Sequence, residues 1–477
     1  MIDWTAQKVV ILGAARQGLA LARYLAVHGA QVILSDRCPA AELQPAIESL
    51  AGLQVEWVCG GHPIEILTGA HMLCPSGGVS LDLPLIAEAR RRGIPLSNDS
   101  QIFLAAAPCR VVGITGSAGK TTTTSLVGLV GQAHVQDGLA YPSQSSCLPA
   151  PGVGAQAYAR VWIGGNIGSP LIAAIDEMQA DDLAVMELSS FQLELMDRSP
   201  QVAAILNVTP NHLDRHGTME AYIAVKRRIL EYQTADDWAV LGRDDPGAWS
   251  LAGAVRGRLL SFGLSELPAG QDGTFLRTGQ VYLRQGQSEQ PLLAQSDIRL
   301  RGEHNLQNVL AACAISVAAG LSAPALQAAV AGFQGVPHRL ELVRSWGGAR
   351  WYNDSIATAP ERSMAAIRAF DEPLVLLAGG RDKNLPWEDF AALVSRRVDH
   401  LILFGEAADK IAAAMAAATP GPTLVRCGGL REAVQAAARV VKPGDVVLLS
   451  PGGTSFDEFK DFEERGQCFA RWVNELK

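Results

Sequence analysis

The chain has 477 residues, 48% hydrophobic and 18% charged, and its 40 Lys+Arg against 48 Asp+Glu leave a formal net charge of −8. This length predicts roughly two to four domains, and the composition excludes a mainly disordered chain. The acidic balance excludes non-specific nucleic-acid binding, which needs a basic surface, but leaves anionic ligands open because phosphate sites are local and built from backbone amides.

The eight cysteines are dispersed and form no C-x-x-C pair, a pattern of reduced thiols rather than of a disulfide framework or zinc site. The start, MIDWTAQKVVILG, runs directly into a strand pattern and does not read as a signal peptide. No apolar run approaches the roughly 20 residues needed to span a bilayer. A cytoplasmic protein without membrane insertion is expected.

The first block runs to about Pro108. It opens with VVILGAARQGLALARYL, which has Gly13 and Gly18 but alanine at the middle glycine of G-x-G-x-x-G, and Asp36 ends the next strand, QVILSD. A Rossmann-like domain fits, gripping a dinucleotide, gripping a uridine nucleotide or simply packing. The second block begins with the strand CRVVGITG and continues GSAGKTTTT. Gly116 and Gly119 let backbone N–H groups turn toward an anion at a helix N-terminus, Lys120 would reach the β- and γ-phosphates, and the Thr121 hydroxyl would ligate Mg²⁺. Ile114 stands at the first glycine of the strict phosphate-loop pattern.

Polar stretches follow where a plain α/β core would have none. Asn166 sits among glycines in WIGGNIGSPL, and Glu187, Ser189, Ser190 and Gln192 close the strand of AVMELSSFQLE. Asn207, His212 and Asp214 follow another strand, and Asn305 and Asn308 lie three apart at a helix start. Each has a plain alternative: a satisfied strand-end acid, a surface histidine, a helix cap. Taken together, a phosphate loop with a strand-end carboxylate and imidazole suits phosphoryl transfer with one or two Mg²⁺. The Gly- and Gln-rich stretch at roughly 255–300 reads as a β-meander decoration of a parallel sheet. The third block starts near Glu341, with YNDSIATAPE as a turn in which Asp354 or Ser355 caps a helix beginning near Pro360. The strands LVLLAGG, HLILFGE and DVVLLSPGG complete a second Rossmann-like pattern.

GSAGKTT, GGNIGSPL, MELSSFQLE, LNVTPNHLDRHGTMEAYIAVKRRI, GEHNLQN, GVPHRLE, NDSIAT and SPGGTSFDEF stand in the order found in the Mur ligases. The chain resembles that family over essentially its whole length, and within it the branch that joins D-glutamate to UDP-N-acetylmuramoyl-L-alanine in peptidoglycan synthesis. The resemblance implies an α/β fold of three domains: a Rossmann-like UDP-substrate domain at 1–108, a central ATP-binding parallel-sheet domain at 109–338, and a Rossmann-like domain at 339–477 that binds the amino acid and closes over ATP. It implies ATP-dependent amide-bond formation through an acyl phosphate, by a cytoplasmic monomer.

By the same resemblance, Gly116, Ser117, Ala118, Gly119, Lys120, Thr121 and Thr122 cradle the phosphates, with Asn305, Asn308, Arg339 and Asp354 as further ATP contacts. Lys120, Glu187, His212 and Lys226 are the catalytic set. Thr121, Glu187, His212 and Lys226 serve two Mg²⁺ ions, the lysine as a carbamate. Ala14, Ala15, Arg16, Asp36, Ser76, Gly77, Gly78, Asn166, Ser189 and Gln192 match substrate-binding positions, and Thr358, Lys383, Ser455 and Phe456 match the glutamate site. Many relatives carry lysine at the fourth position of NDSIAT, where this chain has Ile356. Two alternatives stay open. One is a related ligase adding L-glutamate or another amino acid. The other is a nucleotide-binding regulatory protein without catalysis, against which the joint presence of Lys120, Glu187, His212, Lys226 and Asp354 speaks.

Overall fold

A computed structural model describes residues 3–140, 156–416 and 421–477. The chain divides into two compact units, Met1–Ile298 with Gln307–Gly332 and Arg299–Leu306 with Phe333–Lys477. Among the described residues there are three β-sheets, two in the first unit and one in the second.

The first sheet holds β1 (Lys8–Leu12), β2 (Gln31–Asp36), β3 (Val55–Cys59) and β4 (Met72–Pro75) in the order β3-β2-β1-β4, all parallel. Val9 to Leu12 are fully buried because both faces of β1 are covered, which is why the strand reads as a continuous apolar run. The chain then turns at Gly13, whose φ of +94° only glycine adopts without strain. It enters the helix Arg16–Val27. Gly18 is required by close approach, since a Cβ there would lie 1.9 Å from the Gly13 carbonyl oxygen.

The second sheet contains β5 (Arg110–Thr115), β6 (Val161–Gly165), β7 (Leu183–Glu187), β8 (Val202–Ile205), β9 (Trp238–Gly242), β10 (Arg258–Gly263), β11 (Gly273–Arg277), β12 (Gln280–Gln285) and β13 (Ser288–Ala294). Its order is β13-β12-β11-β10-β9-β8-β5-β7-β6. The expected meander is confined to β11–β13, which pair antiparallel, whereas β10 extends the parallel sheet. The order reverses beside β5, and in open α/β sheets ligands bind at the carboxyl ends of strands flanking such a switch point.

In the second unit, β14 (Glu341–Trp346), β15 (Ala349–Asn353), β16 (Leu374–Gly379), β17 (His400–Phe404), β18 (Thr423–Arg426) and β19 (Val446–Gly452) form a sheet in the order β14-β15-β19-β16-β17-β18. Only β14 runs antiparallel to its neighbour. Trp351, Phe404 and Phe469 pack on one face and Phe370, Trp387 and Phe390 on the other.

The capped-turn expectation for YNDSIATAPE needs correction. The helix Pro360–Ile367 has Ala359 at its N-cap and no side-chain cap. Asp354 and Ser355 lie too far back and are engaged elsewhere: Asp354 accepts from Ser450 Oγ at 2.8 Å, and Ser355 Oγ donates to the Phe462 carbonyl at 2.8 Å. Arg465 completes this network without exposure to solvent. Its guanidinium donates to Ser355 Oγ (3.0 Å) and to the carbonyls of Ser355 (2.8 Å), Gly453 (3.1 Å) and Thr454 (3.0 Å). Burial lowers its pKa to about 10, with Asp457 and Asp354 acting in the opposite direction. One arginine thus ties the loop after β15 to the loop after β19. Replacing it by leucine strips buried carbonyls of their donors and should cost about 3 kcal/mol or more. The check is the urea midpoint of Arg465→Leu; an unchanged midpoint would remove the network from the account.

Candidate active site

The carboxyl ends of β5, β7 and β6 bring the first group of expected residues together. Parallel register sets Ile114 opposite Glu187 and Gly165 opposite Glu187, so the phosphate loop, Glu187 and Asn166 emerge at one edge. Thr121, in the first turn of the helix Lys120–Ala140, donates to Glu187 Oε2 at 2.9 Å, and Asn166 Nδ2 donates to Oε1 at 2.8 Å. Lys120 Nζ folds back onto the Gly116 carbonyl (2.8 Å) and the Ser117 carbonyl (3.3 Å). Thr122 is buried behind the loop. Gly119 has φ +81°, and a Cβ there would meet Asn308 Oδ1 at 2.1 Å, which places Asn308 against the loop and forbids any larger residue.

Asn207 holds the loop open. Its side chain accepts from Ala118 N at 2.8 Å and donates to the Ala118 carbonyl at 3.1 Å, while Ser117 N donates to its backbone carbonyl. The sequence marks Asn207 as polar after a strand but gives it no role. Thr115 and Tyr222 were not singled out at all. Ser117 Oγ reaches the Tyr222 hydroxyl at 3.2 Å, and Lys226 Nζ lies 4.8 Å from the Tyr222 ring centroid and 3.2 Å from Thr115 Oγ1.

Lys226 is 1% exposed, and among the described residues no carboxylate forms an ion pair with it. Burial first, and the charge of Lys120 second, hold its pKa well below that of an ordinary lysine. Thr121 and Glu187 offer hard oxygen donors in contact, which fits Mg²⁺, a cation that takes few protein ligands and completes its shell from phosphate oxygens and water. Among the described residues no three His, Cys, Asp or Glu gather into a cage of their own. His212 is exposed, adopts the left-handed region (φ +52°) and packs 5.1 Å from the Phe191 ring. The side chain of Asp214 lies outside the described residues.

Phe191, also unmarked by the sequence reading, organises the neighbouring loop. Arg215 stacks over it at 4.3 Å, pairs with Glu194 at 2.9 Å and donates to the Gly77 carbonyl at 3.4 Å. His216 packs between Phe191 and Tyr222. The only advance signal for Phe191 was a lone aromatic among Ser, Ser and Gln.

The expected substrate residues of the first sheet meet this edge in part. Arg16 donates to the Asn166 carbonyl at 3.1 Å, and Ser76 Oγ to the Gly13 carbonyl at 3.2 Å. Ala15 is the N-cap of the Arg16–Val27 helix, and the space about Gly78 is open. Asp36 accepts from Ala14 N at 2.7 Å and Cys38 N at 2.9 Å. Partial burial pushes its carboxyl up, but these N–H groups outweigh burial and hold it below the usual range. Asp36 thus shapes the glycine turn.

Gln192, expected near the reacting carboxylate, is held by hydrogen bonds at both ends of its amide. It is 1% exposed, its amide oxygen accepts from Ser189 N and Oγ, and its amide nitrogen donates to Ser100 Oγ at 2.6 Å. With both ends engaged, it and Ser189 form a capping box that fixes the turn after Glu187.

In the second unit, Asn305 donates to the Arg301 carbonyl at 2.7 Å. Burial pushes the carboxyl of Asp354 up to about 7, against the opposing effects of the Ser450 hydrogen bond and then the Arg339 charge. Thr358, Lys383, Ser455 and Phe456 lie on loops after β15, β16 and β19, adjacent strands of one sheet. Ser455 is buried and Phe456 is 59% exposed.

Three family models match the chain: a Mur ligase MurD-like N-terminal domain at residues 7–98, a Mur ligase middle domain at 114–316, and a Mur ligase, glutamate ligase domain at 338–453. Two proteins named UDP-N-acetylmuramoylalanine--D-glutamate ligase are similar over nearly full length. That of Symbiobacterium thermophilum is 40% identical over 470 residues (98% of each chain), and that of Geotalea uraniireducens 39% over 478 residues (98% of each). Among solved structures, UDP-N-acetylmuramate-alanine ligase MurC from Thermotoga maritima aligns with a TM-score of 0.54 at 17% identity, covering 98% of this chain and 100% of that one. MurF from Acinetobacter baumannii gives 0.55 at 18%, covering 98% and 91%. These two likenesses are of fold.

The buried carboxyl of Asp354 sets a pH dependence. It titrates at about 7 in the folded chain against roughly 3.9 when unfolded, so the folded state holds an extra proton between these values. Its favourable contribution is complete at the acid end and is lost as pH rises from about 4 to about 7. Urea midpoints of wild type minus Asp354→Asn should therefore fall between about pH 5 and pH 7; a rise would contradict the assignment.

Proposed function

The chain belongs to the Mur ligase family, and from that premise we propose how its residues divide the work of the ligase. The enzyme joins D-glutamate to UDP-N-acetylmuramoyl-L-alanine with ATP, a step of peptidoglycan precursor synthesis. The observation that carries the mechanistic reading is the meeting of phosphate loop, Glu187 and buried Lys226 at one strand edge.

A carboxylate resists nucleophiles because it is already anionic, so it needs a leaving group. The substrate carboxylate attacks the γ-phosphorus of ATP, ADP departs, and an acyl phosphate forms. The amine of D-glutamate then adds to the acyl carbon, loses a proton, and inorganic phosphate leaves as the amide forms. The phosphate loop from Gly116 to Thr122 would hold the β- and γ-phosphates through its N–H groups and Lys120, with Asn305, Asn308, Arg339 and Asp354 as further ATP contacts. Mg²⁺, when bound, would neutralise charge on the transferring phosphoryl group; Thr121 and Glu187 would hold one ion, and His212 and a carbamylated Lys226 would serve a second. A protonated lysine would repel that cation. A neutral buried amine can add CO₂, release a proton to solvent and become an anionic oxygen ligand, and the lowered pKa of Lys226 supports that reading.

The substrate's uridine portion is assigned to the Gly13–Gly18 turn with Ala14, Ala15 and Arg16, to Asp36 through its bracing of that turn, and to the Ser76–Gly78 loop. Asn166 lies further in, with Ser189 and Gln192 as supports. Thr358, Lys383, Ser455 and Phe456 are assigned to glutamate. The working domains are 1–108, 109–338 and 339–477, in a cytoplasmic monomer. No helix among the described residues is long and apolar enough to cross a membrane.

Phosphate release with UDP-N-acetylmuramoyl-L-alanine, ATP and Mg²⁺ should be stimulated by D-glutamate well above L-glutamate or D-aspartate; no stimulation by any of them would sink the ligase reading. Lys226→Ala should lose at least about 100-fold in kcat, as for disturbed metal-site ligands. Short carboxylates should restore part of that activity. Full activity in the untreated variant would remove the carbamate.

A further inference from the structure

Glu194 ends the turn that follows Glu187, as the C-cap of the short helix Ser190–Leu193. Its carboxylate gives one oxygen to each of two adjacent residues on the helix Leu213–His216. Oε2 lies 2.9 Å from Arg215 Nη2, and Oε1 lies 3.3 Å from His216 Nδ1. The three side chains are enclosed, Glu194 at 13%, Arg215 at 20% and His216 at 3% exposure, so salt screens their attraction little. Charges taken out of water are a poor source of net stability, because desolvation offsets their attraction. What distinguishes this cluster is where its two arms lead.

Arg215 leads toward the first sheet. Its guanidinium lies over the Phe191 ring at 4.3 Å, and its Nη1 donates to the Gly77 carbonyl at 3.4 Å. The Gly77 backbone passes beside that ring, since a Cβ there would lie 3.7 Å from Phe191 Cβ. His216 leads toward the phosphate loop. Its ring stacks on Phe191 at 5.8 Å and on Tyr222 at 5.0 Å, while its Nε2 meets Ser190 Oγ at 3.0 Å. The Tyr222 hydroxyl in turn meets Ser117 Oγ of the phosphate loop at 3.2 Å. Glu194 is thus the common anchor of two arms, one ending on the Ser76–Gly78 loop and one on the phosphate loop. All of these residues belong to the first unit.

Resting on the ligase reading above, we propose that Glu194 is a positioning residue of the reaction, holding the UDP-substrate loop and the phosphate loop in register through Arg215 and His216. The substrate carboxylate must meet the γ-phosphorus of ATP, and a misplacement of about 1 Å is enough to slow such a step about 100-fold. A planar carboxylate carries its two oxygens in fixed relation, so it keeps both arms in step where two separate acceptors could shift independently. The amino acid is assigned to loops of the second unit, so its seat does not rest on this anchor.

Steady-state kinetics of Glu194→Ala, Arg215→Ala and His216→Ala, with each of the three substrates varied in turn, tests the proposal. Glu194→Ala should raise the KM for UDP-N-acetylmuramoyl-L-alanine and the KM for ATP by about 3- to 30-fold, the span of couplings carried through packed side chains. The KM for D-glutamate should hold. Arg215→Ala should raise the first of these alone, and His216→Ala the second alone. A general loss of stability would not separate the substrates in this way. Where Glu194→Ala fails to fold, the two single-arm variants decide. If each of them raises all three KM values alike, or raises none, the positioning role is overturned while the ligase reading stands. Wild-type enzyme whose phosphate release is stimulated by no amino acid overturns the ligase reading and the positioning role with it.

Discussion

The pairing of β7 between β5 and β6 is the constraint on which the first unit's chemistry depends. Parallel strands share a direction, so their carboxyl ends share an edge, and the observed register sets Ile114, two residues before the phosphate loop, level with Glu187 and Gly165. From that one alignment follow the Thr121–Glu187 contact, the Asn166–Glu187 contact and the nearness of Arg16 to Asn166. A register slip would move all of them at once and turn every side chain of the strand to the opposite face.

The protein handles its buried cations in two ways, and the partners they meet decide between them. Arg465 cannot lose its charge readily, so four neutral oxygens from two loops satisfy it and it becomes a structural tie. Lys226 is as deeply enclosed but meets a hydroxyl, an aromatic ring and the repulsion of Lys120, so its pKa is held well below that of an ordinary lysine. The net charge of −8 is no obstacle to a phosphate site, because backbone N–H groups and a helix end supply the local field.

Much of the fold was legible in the sequence because buried parallel strands leave continuous apolar runs. KVVIL, RVVGIT, LVLLAG and HLILF stand where such runs predict strands. Weakly patterned strands escaped notice: β18, mostly exposed, and the short β4, whose MLCP run ends in proline. At the site, glycine and lysine spacing identified the phosphate loop, but Asn207, Phe191 and Tyr222 were obscure because their roles are contacts with residues distant in the chain. Gln192 shows the converse: a polar residue in a functional stretch whose two amide ends turn out to be held inside the protein.

By itself the sequence determined the class of chemistry and the domain pattern, because short-range glycine, hydroxyl and apolar spacing dictates turns and strands locally. Only the tertiary structure decided which polar groups are available and in what protonation state. Burial, the loss of water and the arrival of remote partners lowered the pKa of Lys226, made Asp354 hard to ionise and made Asp36 a brace. Those are properties of surroundings, and no stretch of ten residues contains its own surroundings.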